Sequence, residues 1–292
     1  MPQNGGVVRG VVVEAARLCL TAVTLPLFST SDDPGPNFPE LLKRTGVDPS
    51  YRINEALTSE QHLDITHGTT VVAARSSEGV VIAGDRRATS GNLISYRTMK
   101  KVFAADRWSG VAIAGAAGPA IEMVKMFQLQ LEHYEKVEGH SLSLEGKANQ
   151  LSMMVRQHLP AAMQGMVVVP IFAGYDRRRD KGRLFAYDVT GGRYEEEDYV
   201  ASGSGSLHAR TVIKLGRGGN LSQDDTIDLM IRALFTAADD DSATGGPDSM
   251  RGIYPIVATI GEDGFQALEE ADIAERFASI IDEYTLDEEA IR

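Results

Sequence analysis

His67-Gly68-Thr69-Thr70-Val71-Val72 is the stretch on which the reading of this chain turns. Thr-Thr-Val-Val is a run of β-branched residues, the composition of a strand. Ser76-Ser77-Glu78-Gly79 then has the character of a tight turn, and Val80–Gly84 is a second apolar run, so the two form an expected hairpin. The same six residues carry a chemical possibility. A chain cut after Gly68 would begin with a threonine whose own α-amino group, with a reference pKa of about 7.7–8.0, can take the hydroxyl proton near neutrality. The pairing of an N-terminal amine with a hydroxyl is a variant of Ser-His-Asp logic. Glycine at position 68 suits such a cut, because without a Cβ the backbone can bend and be approached closely.

Outward from this hairpin the pattern is that of a layered protein. Strands are expected at Thr69–Ala74, Val80–Gly84 and Val111–Ala114. From Ala117 the period becomes helical, with Ala120, Val124, Phe127, Leu131 and Tyr134 on one face. A second helix, capped by Ser143, carries Leu144, Ala148, Leu151 and Val155 toward Pro160. Strands return at Met166–Tyr175, Arg183–Asp188 and Tyr199–Ser202. Helices follow at Ser206–Ile213 and Asp224–Ala238, the latter with Ile227, Ile231, Leu234 and Ala238 in register. A strand at Ile253–Ile260, a helix carrying Ile273, Phe277, Ile280 and Tyr284, and an acidic tail complete the chain. This order is neither a regular βαβ alternation nor all-β; it is α+β. Two stacked antiparallel sheets with helices over both outer faces would bury every one of these stripes.

Before Thr69 the chain has no apolar pattern sufficient for a core. Residues 11 to 28 resemble a signal-peptide core, but Glu14 and Arg17 interrupt it, and it is too short and too charged for a membrane span. Ser29 to Pro39 reads as linker, and Asn37–Lys43 as a short capped helix before a polar stretch to Thr66. A net charge of −12 argues against nucleic acid or anionic membrane as a general partner. Arg177-Arg178-Arg179, between two apolar runs, reads as a solvated hairpin tip. Cys19 is the single cysteine, which excludes an internal disulfide and a cysteine zinc site, and the six histidines lack metal-binding spacing.

Several residues near the first hairpin could assist Thr69. Asp85 ends the second strand, which pairs with the first; Lys101 opens the next apolar step; Gly115 closes the strand before the first helix. An ammonium held by a carboxylate can lower the pKa of a neighbouring hydroxyl and amine, and a glycine N–H at a strand-to-helix junction can donate to an oxyanion. Each also has an ordinary structural reading as a turn, a solvated lysine or a close packing contact. Gly203-Ser204-Gly205-Ser206 before a helix could cradle an anion, although full dinucleotide or P-loop spacing is absent. Asp239-Asp240-Asp241-Ser242 reads, by itself, as a solvated loop.

Taken together, Gly68-Thr69-Thr70, Gly84-Asp85-Arg86-Arg87, Lys101-Val102, Ala114-Gly115-Ala116-Ala117, Gly203-Ser204-Gly205-Ser206 and Asp241-Ser242-Ala243-Thr244-Gly245-Gly246 resemble, in order and spacing, the β subunits of the 20S proteasome, most of all the actinobacterial type. The likeness runs from Thr69 to about Phe277. It implies a four-layer αββα sandwich of the N-terminal-nucleophile hydrolase class, with residues 1–68 a propeptide removed by self-cleavage and residues 69–292 the catalytic domain. The implied activity is a threonine endopeptidase that needs no cofactor or metal. Residue by residue, Thr69 would be the nucleophile and its freed amine the base; Asp85 and Lys101 the charge pair; Gly115 the oxyanion donor. Ser204, Asp241 and Thr244 would order the amine and a water, Thr244 standing where many members of the family have serine. The backbones of Thr89 and Ala117 would pair with an extended substrate. Ala88, Met99, Phe103, Ile113 and Ile121 would form or adjoin the pocket for the side chain before the scissile bond, with a chymotrypsin-like preference for large apolar groups.

The resemblance further implies α subunits and other β subunits as partners in stacked seven-membered rings. It also implies a regulatory ATPase reached through the α ring, substrates tagged by a small protein modifier, and a cytoplasmic location, with neither nucleic acid nor membrane as a partner. Three alternatives stand beside it. They are the simpler bacterial ATP-dependent threonine peptidase, whose chains are shorter and lack so long a prosegment; a non-catalytic ring subunit, against which Thr69, Asp85, Lys101 and Gly115 argue jointly; and a phosphate-binding module built on Gly203–Ser206.

Overall fold

The structure, a computed structural model, describes residues 31, 33–44 and 68–291. The signal-like run at 11–28 and the polar stretch at 45–66 lie outside the described residues. The chain divides into two units, Met1–Asp48 and Pro49–Arg292. In the first, α1 (Phe38–Arg44) forms where a capped helix is expected: the Asn37 side-chain oxygen accepts the Glu40 N–H at 3.4 Å, and Glu40 bonds Arg44 one turn on.

In the second unit β1 (Thr70–Ser76) and β2 (Gly79–Gly84) form the expected hairpin around Ser77-Glu78. The short β3 (Ala88–Ser90) and β4 (Leu93–Tyr96) make a small separate hairpin. Next come β5 (Val102–Asp106), β6 (Ser109–Gly115), and the helices α2 (Ala117–Glu138), α3 (Leu144–Gln157) and α4 (Leu159–Ala162). Ser143 caps α3, its hydroxyl accepting the Gly146 N–H at 3.1 Å. The stripe of α3 ends at Gln157, and Pro160 beyond it sits in the first turn of α4, where its missing N–H costs nothing.

The remaining order is β7 (Val168–Asp176), β8 (Lys181–Tyr187), β9 (Arg193–Glu196), β10 (Tyr199–Gly203), α5 (Ser206–Gly216), α6 (Gln223–Asp240), β11 (Ile256–Gly261), β12 (Gly264–Ala267) and α7 (Glu270–Ile291). The acidic tail is a correction: its residues continue α7 to Ile291.

Two five-stranded sheets, ordered β10-β1-β2-β11-β12 and β5-β6-β7-β8-β9, have antiparallel neighbours throughout. Strand alternation assigns each side chain to a layer. Val71, Ala73, Val80 and Ile82 face inward and meet Ala112, Ile171, Ala173 and Leu184 of the other sheet. Val72, Ala74, Val81 and Ala83 face outward and pack with Ile213, Ile231, Leu234 and Ile273 of the covering helices α5, α6 and α7. On the opposite outer face Val111, Ile113, Phe172 and Phe185 meet Val124, Phe127, Leu131, Leu151 and Val155 of α2 and α3. The architecture is thus the αββα sandwich, with three apolar layers between four structural ones.

Two stripe positions differ from expectation. Ala237, not Ala238, is the buried residue near the end of α6, and Tyr134 is half-buried against His140 at the exposed end of α2. The basic tip is a turn as expected, but Arg177 lies over the Trp108 ring, and Arg183, inside β8, is buried with ionic partners Asp176 and Glu195. Among the described residues no helix is long and apolar enough to cross a membrane.

Candidate active site

Strand pairing brings the separated motifs to the start of β1. Thr70 pairs with Gly203 of β10 on one side, and Val71 with Gly84 of β2 on the other. Residues that leave β2 and residues that leave β10 therefore flank Thr69, which is buried at 5% exposure. The turn after β2 delivers Asp85, whose carboxylate is filled by four donors. Oδ1 accepts the Thr70 N–H at 2.8 Å and Lys101 Nζ at 2.6 Å; Oδ2 accepts the N–H groups of Arg87 and Gly245, each at 2.8 Å. These saturate the lone-pair sites of a carboxylate. Asp85 thereby ties together β1, its own turn, the residue before β5 and the loop after α6.

Lys101 and Asp85 are both fully buried. Two of the three ammonium donors go to Asp85 and, at 2.5 Å, to the Arg87 carbonyl. Burial pushes the Lys101 pKa below its ordinary value, and the pull of Asp85 in the other direction only partly offsets this. A cation held this way, away from water, acts on its surroundings far more strongly than a solvated one.

On the β10 side, Ser204 opens the loop before α5. Its N–H donates to the Thr69 carbonyl at 2.9 Å, and its hydroxyl oxygen accepts the Thr69 N–H at 3.3 Å. The Ser204 hydroxyl donates to Asp241 Oδ2 at 2.5 Å, and so does Thr244, also at 2.5 Å. Asp241 is the C-cap of α6, not part of a solvated loop; Asp239 and Asp240 belong to the helix itself. Thr244 is fully buried. The structure thus joins Thr69, Asp85, Lys101, Ser204, Asp241 and Thr244 in one continuous network.

Gly115 ends β6 at a φ of 109°, and a Cβ there would lie 2.0 Å from the Val167 carbonyl oxygen, so both conformation and space demand glycine. With Ala114, Ala116, Val167, Ser202 and Gly203 it lines a cavity of about 280 Å³, which sets the end of β6 beside the end of β10. Ala117 follows as the first residue of α2. Thr89 lies buried in β3, and its hydroxyl oxygen accepts the Gly68 N–H at 3.1 Å. Among the apolar pocket residues, Met99, Phe103 and Ile121 are partly buried against the layer that contains Ile113, whereas Ala88 is buried in β3.

Gly68 has a stronger reason to be glycine than backbone freedom. A Cβ at that position would fall 1.7 Å from the Ala243 Cβ and 2.7 Å from its Cα. Gly68→Val is therefore expected to slow loss of the prosegment by at least about tenfold, since small misplacements of a reacting bond cost that much or more. The time course of intact mass during assembly measures it; parental kinetics would show that Ala243 yields freely.

Some participants were not apparent from the sequence. Thr70, Arg87, Ala243, Gly205 and Gly245 all contribute through backbone groups, a strand hydroxyl or steric contact. All five lie within the quoted motifs, but membership in a motif does not say which of its residues makes a contact.

The chain from 65 to 251 matches the family model described as "Proteasome subunit". Three curated relatives carry the name "Proteasome subunit beta". That of Acidimicrobium ferrooxidans is 54% identical over 253 residues, covering 87% of this chain and 92% of the relative. That of Streptomyces griseus is 57% identical over 220 residues, 75% of this chain and 78% of the relative. The one from Jonesia denitrificans is 54% identical over 226 residues, 77% and 75% respectively.

Proposed function

This chain belongs to the proteasome subunit family, as a threonine protease of its catalytic β type, and on that premise we propose that it activates itself by cutting between Gly68 and Thr69. The observation that carries the reading is the buried Asp85–Lys101 pair, tied through the Thr70 N–H to the residue after the cut. In this proposal residues 1–68 are the propeptide and 69–292 the catalytic domain.

In the uncut chain the Thr69 nitrogen is an amide and cannot serve as base. Its hydroxyl attacks the Gly68 carbonyl carbon, a C–O ester forms as the C–N bond breaks, and the hydroxyl proton ends on the released amine. Water then hydrolyses the ester, leaving a Gly68 carboxylate and a free Thr69. In this reading the charge of Lys101 favours ionisation of the Thr69 hydroxyl, while the Gly115 N–H stabilises the oxyanion. Once freed, the amine stays near Ser204, takes the hydroxyl proton in each turnover and passes it to the leaving amine of the substrate. Thr89 and Ala117 align the peptide backbone. Met99, Phe103, Ile113 and Ile121, with Ala88, give the site an apolar acceptor for the residue before the scissile bond, hence a chymotrypsin-like preference.

The subunit assembles into the proteasome core with other subunits; we place it in a seven-membered β ring stacked on α rings. A regulatory ATPase, acting through the α ring on substrates tagged by a small protein modifier in the cytoplasm, completes the proposal. Particles assembled with α partners are expected to cleave fluorogenic peptides bearing a large apolar residue before the reporter at least about tenfold faster than acidic or basic counterparts. Equal rates would remove the assigned pocket; no turnover of any peptide would remove the catalytic reading.

A further inference from the structure

Beyond the residues assigned above stands a second hydroxyl at the start of β1. Thr70 is fully buried. Its Oγ1 accepts the Gly205 N–H at 3.0 Å and shares a 2.5 Å hydrogen bond with Thr244 Oγ1, across 174 positions of sequence. Either oxygen of that pair could be the donor, but the neighbours decide which one is. A threonine hydroxyl has one proton. Thr244 spends its proton on Asp241 Oδ2, a carboxylate oxygen that only accepts, so the proton between the two threonines must come from Thr70.

The direction then runs without a break from the Gly205 N–H to Thr70, from Thr70 to Thr244, and from Thr244 to Asp241. Ser204 meets the same carboxylate oxygen from the other side. Its single proton goes to Asp241 at 2.5 Å and not to the Thr69 carbonyl at 3.4 Å, which leaves the Ser204 oxygen to face the Thr69 nitrogen as an acceptor. An amine that donates one N–H to Ser204 has its lone pair turned by that bond.

We infer that Thr70 is a positioning residue for the nucleophile: by donating to Thr244 it fixes the orientation of the Thr244–Asp241–Ser204 chain that in turn orients the Thr69 amine. This deepens the reading of Thr69 as the nucleophile and rests on it. It also gives the Thr-Thr pair a division of labour, in which the first hydroxyl reacts and the second aligns the groups around the amine. The chain is built from short side chains on three elements packed at β1, so the loss of one member loosens the next.

The experiment measures peptide turnover by assembled, matured particles carrying Thr70→Val, Thr70→Ser, Thr244→Val, or Thr70→Val with Thr244→Val. Valine keeps the shape of threonine and removes the hydroxyl. Thr70→Val is expected to lower kcat about three- to tenfold with KM within twofold of the parent, Thr70→Ser to recover at least half of the parental kcat, and Thr70→Val to cost nothing further once Thr244 is already valine. Independent, multiplying losses would overturn the inference, as would an unchanged kcat in Thr70→Val or a serine variant no better than valine. If neither Thr70→Val nor Thr70→Ala assembles while Thr244→Val does, the role of Thr70 is in the fold and the inference fails. Parental particles with no peptide turnover would instead overturn the catalytic reading itself, so the two failures are separable.

Discussion

Thr69→Ala is expected to yield a chain that assembles with its partner rings and keeps Gly68 and the segment before it, with no peptide hydrolysis. The variant removes the one oxygen that can attack the Gly68 carbonyl, and the fold has little reason to notice. Thr69 precedes β1, and its backbone bonds to Ser204 survive the change. Thr69→Ser is expected to mature and cleave more slowly, because the methyl that restricts χ1 and holds the hydroxyl in line is gone. Intact-mass measurement of the assembled variants checks both. A Thr69→Ala chain trimmed at Gly68, with no parental subunit or outside protease present, would contradict self-cleavage.

Lys101→Ala is expected to reduce both maturation and peptide turnover by about 10²–10³, the loss commonly seen when a preorganised donor or charge is removed from a reacting centre. It also leaves Asp85 buried with an uncompensated charge, which costs on the order of 3–5 kcal/mol of stability. The two effects separate in the double variant with Asp85→Asn. Neutralising the carboxylate is expected to recover the part of the thermal stability lost to the unpaired charge, though not the part held by the two oxygens' backbone acceptances, while activity stays low. Recovery of activity along with stability would mean that Lys101 serves the fold alone, and parental turnover in the single variant would remove it from the site.

Much of this fold was legible wherever burial imposed a period. Val71–Ala74 and Val80–Ala83 are unbroken apolar runs because β1 and β2 face apolar layers on both sides, and α2 and α3 show their stripes because one face of each covers a sheet. The missed elements lack that pressure. The residues of β4 are all exposed, β9 is the edge strand Arg-Tyr-Glu-Glu, and β12 is four residues entered through Glu262-Asp263. A charged edge strand looks like a loop in sequence because it is designed by the same requirement, contact with water. The end of α7 was taken for a tail for the same reason, its acidic residues masking good helix formers.

The site was legible in a different way. Asp85 and Lys101 lie 16 positions apart with no periodicity connecting them, and what singled them out was the likeness of several short motifs in order. What motif reading could not supply is the set of contacts between motifs: the Arg87 carbonyl under Lys101, Ala243 against Gly68, and Thr70 beside Thr244. The last two depend on how the loop after α6 folds onto β1, a long-range packing result that no local pattern encodes. The identity of Gly68 illustrates this. Chain flexibility explains a glycine there in general, but the steric contact with Ala243 explains this one.

The proposed base exists only if Thr69 is the first residue of the working chain. N-terminal sequencing of the β subunit taken from active, assembled particles, together with its intact mass, is predicted to give Thr69 as the first residue with no part of the prosegment attached. A fully active particle whose subunit begins at any other residue, or retains Gly68 in peptide linkage to Thr69, would contradict it, because the proposed base would then not exist.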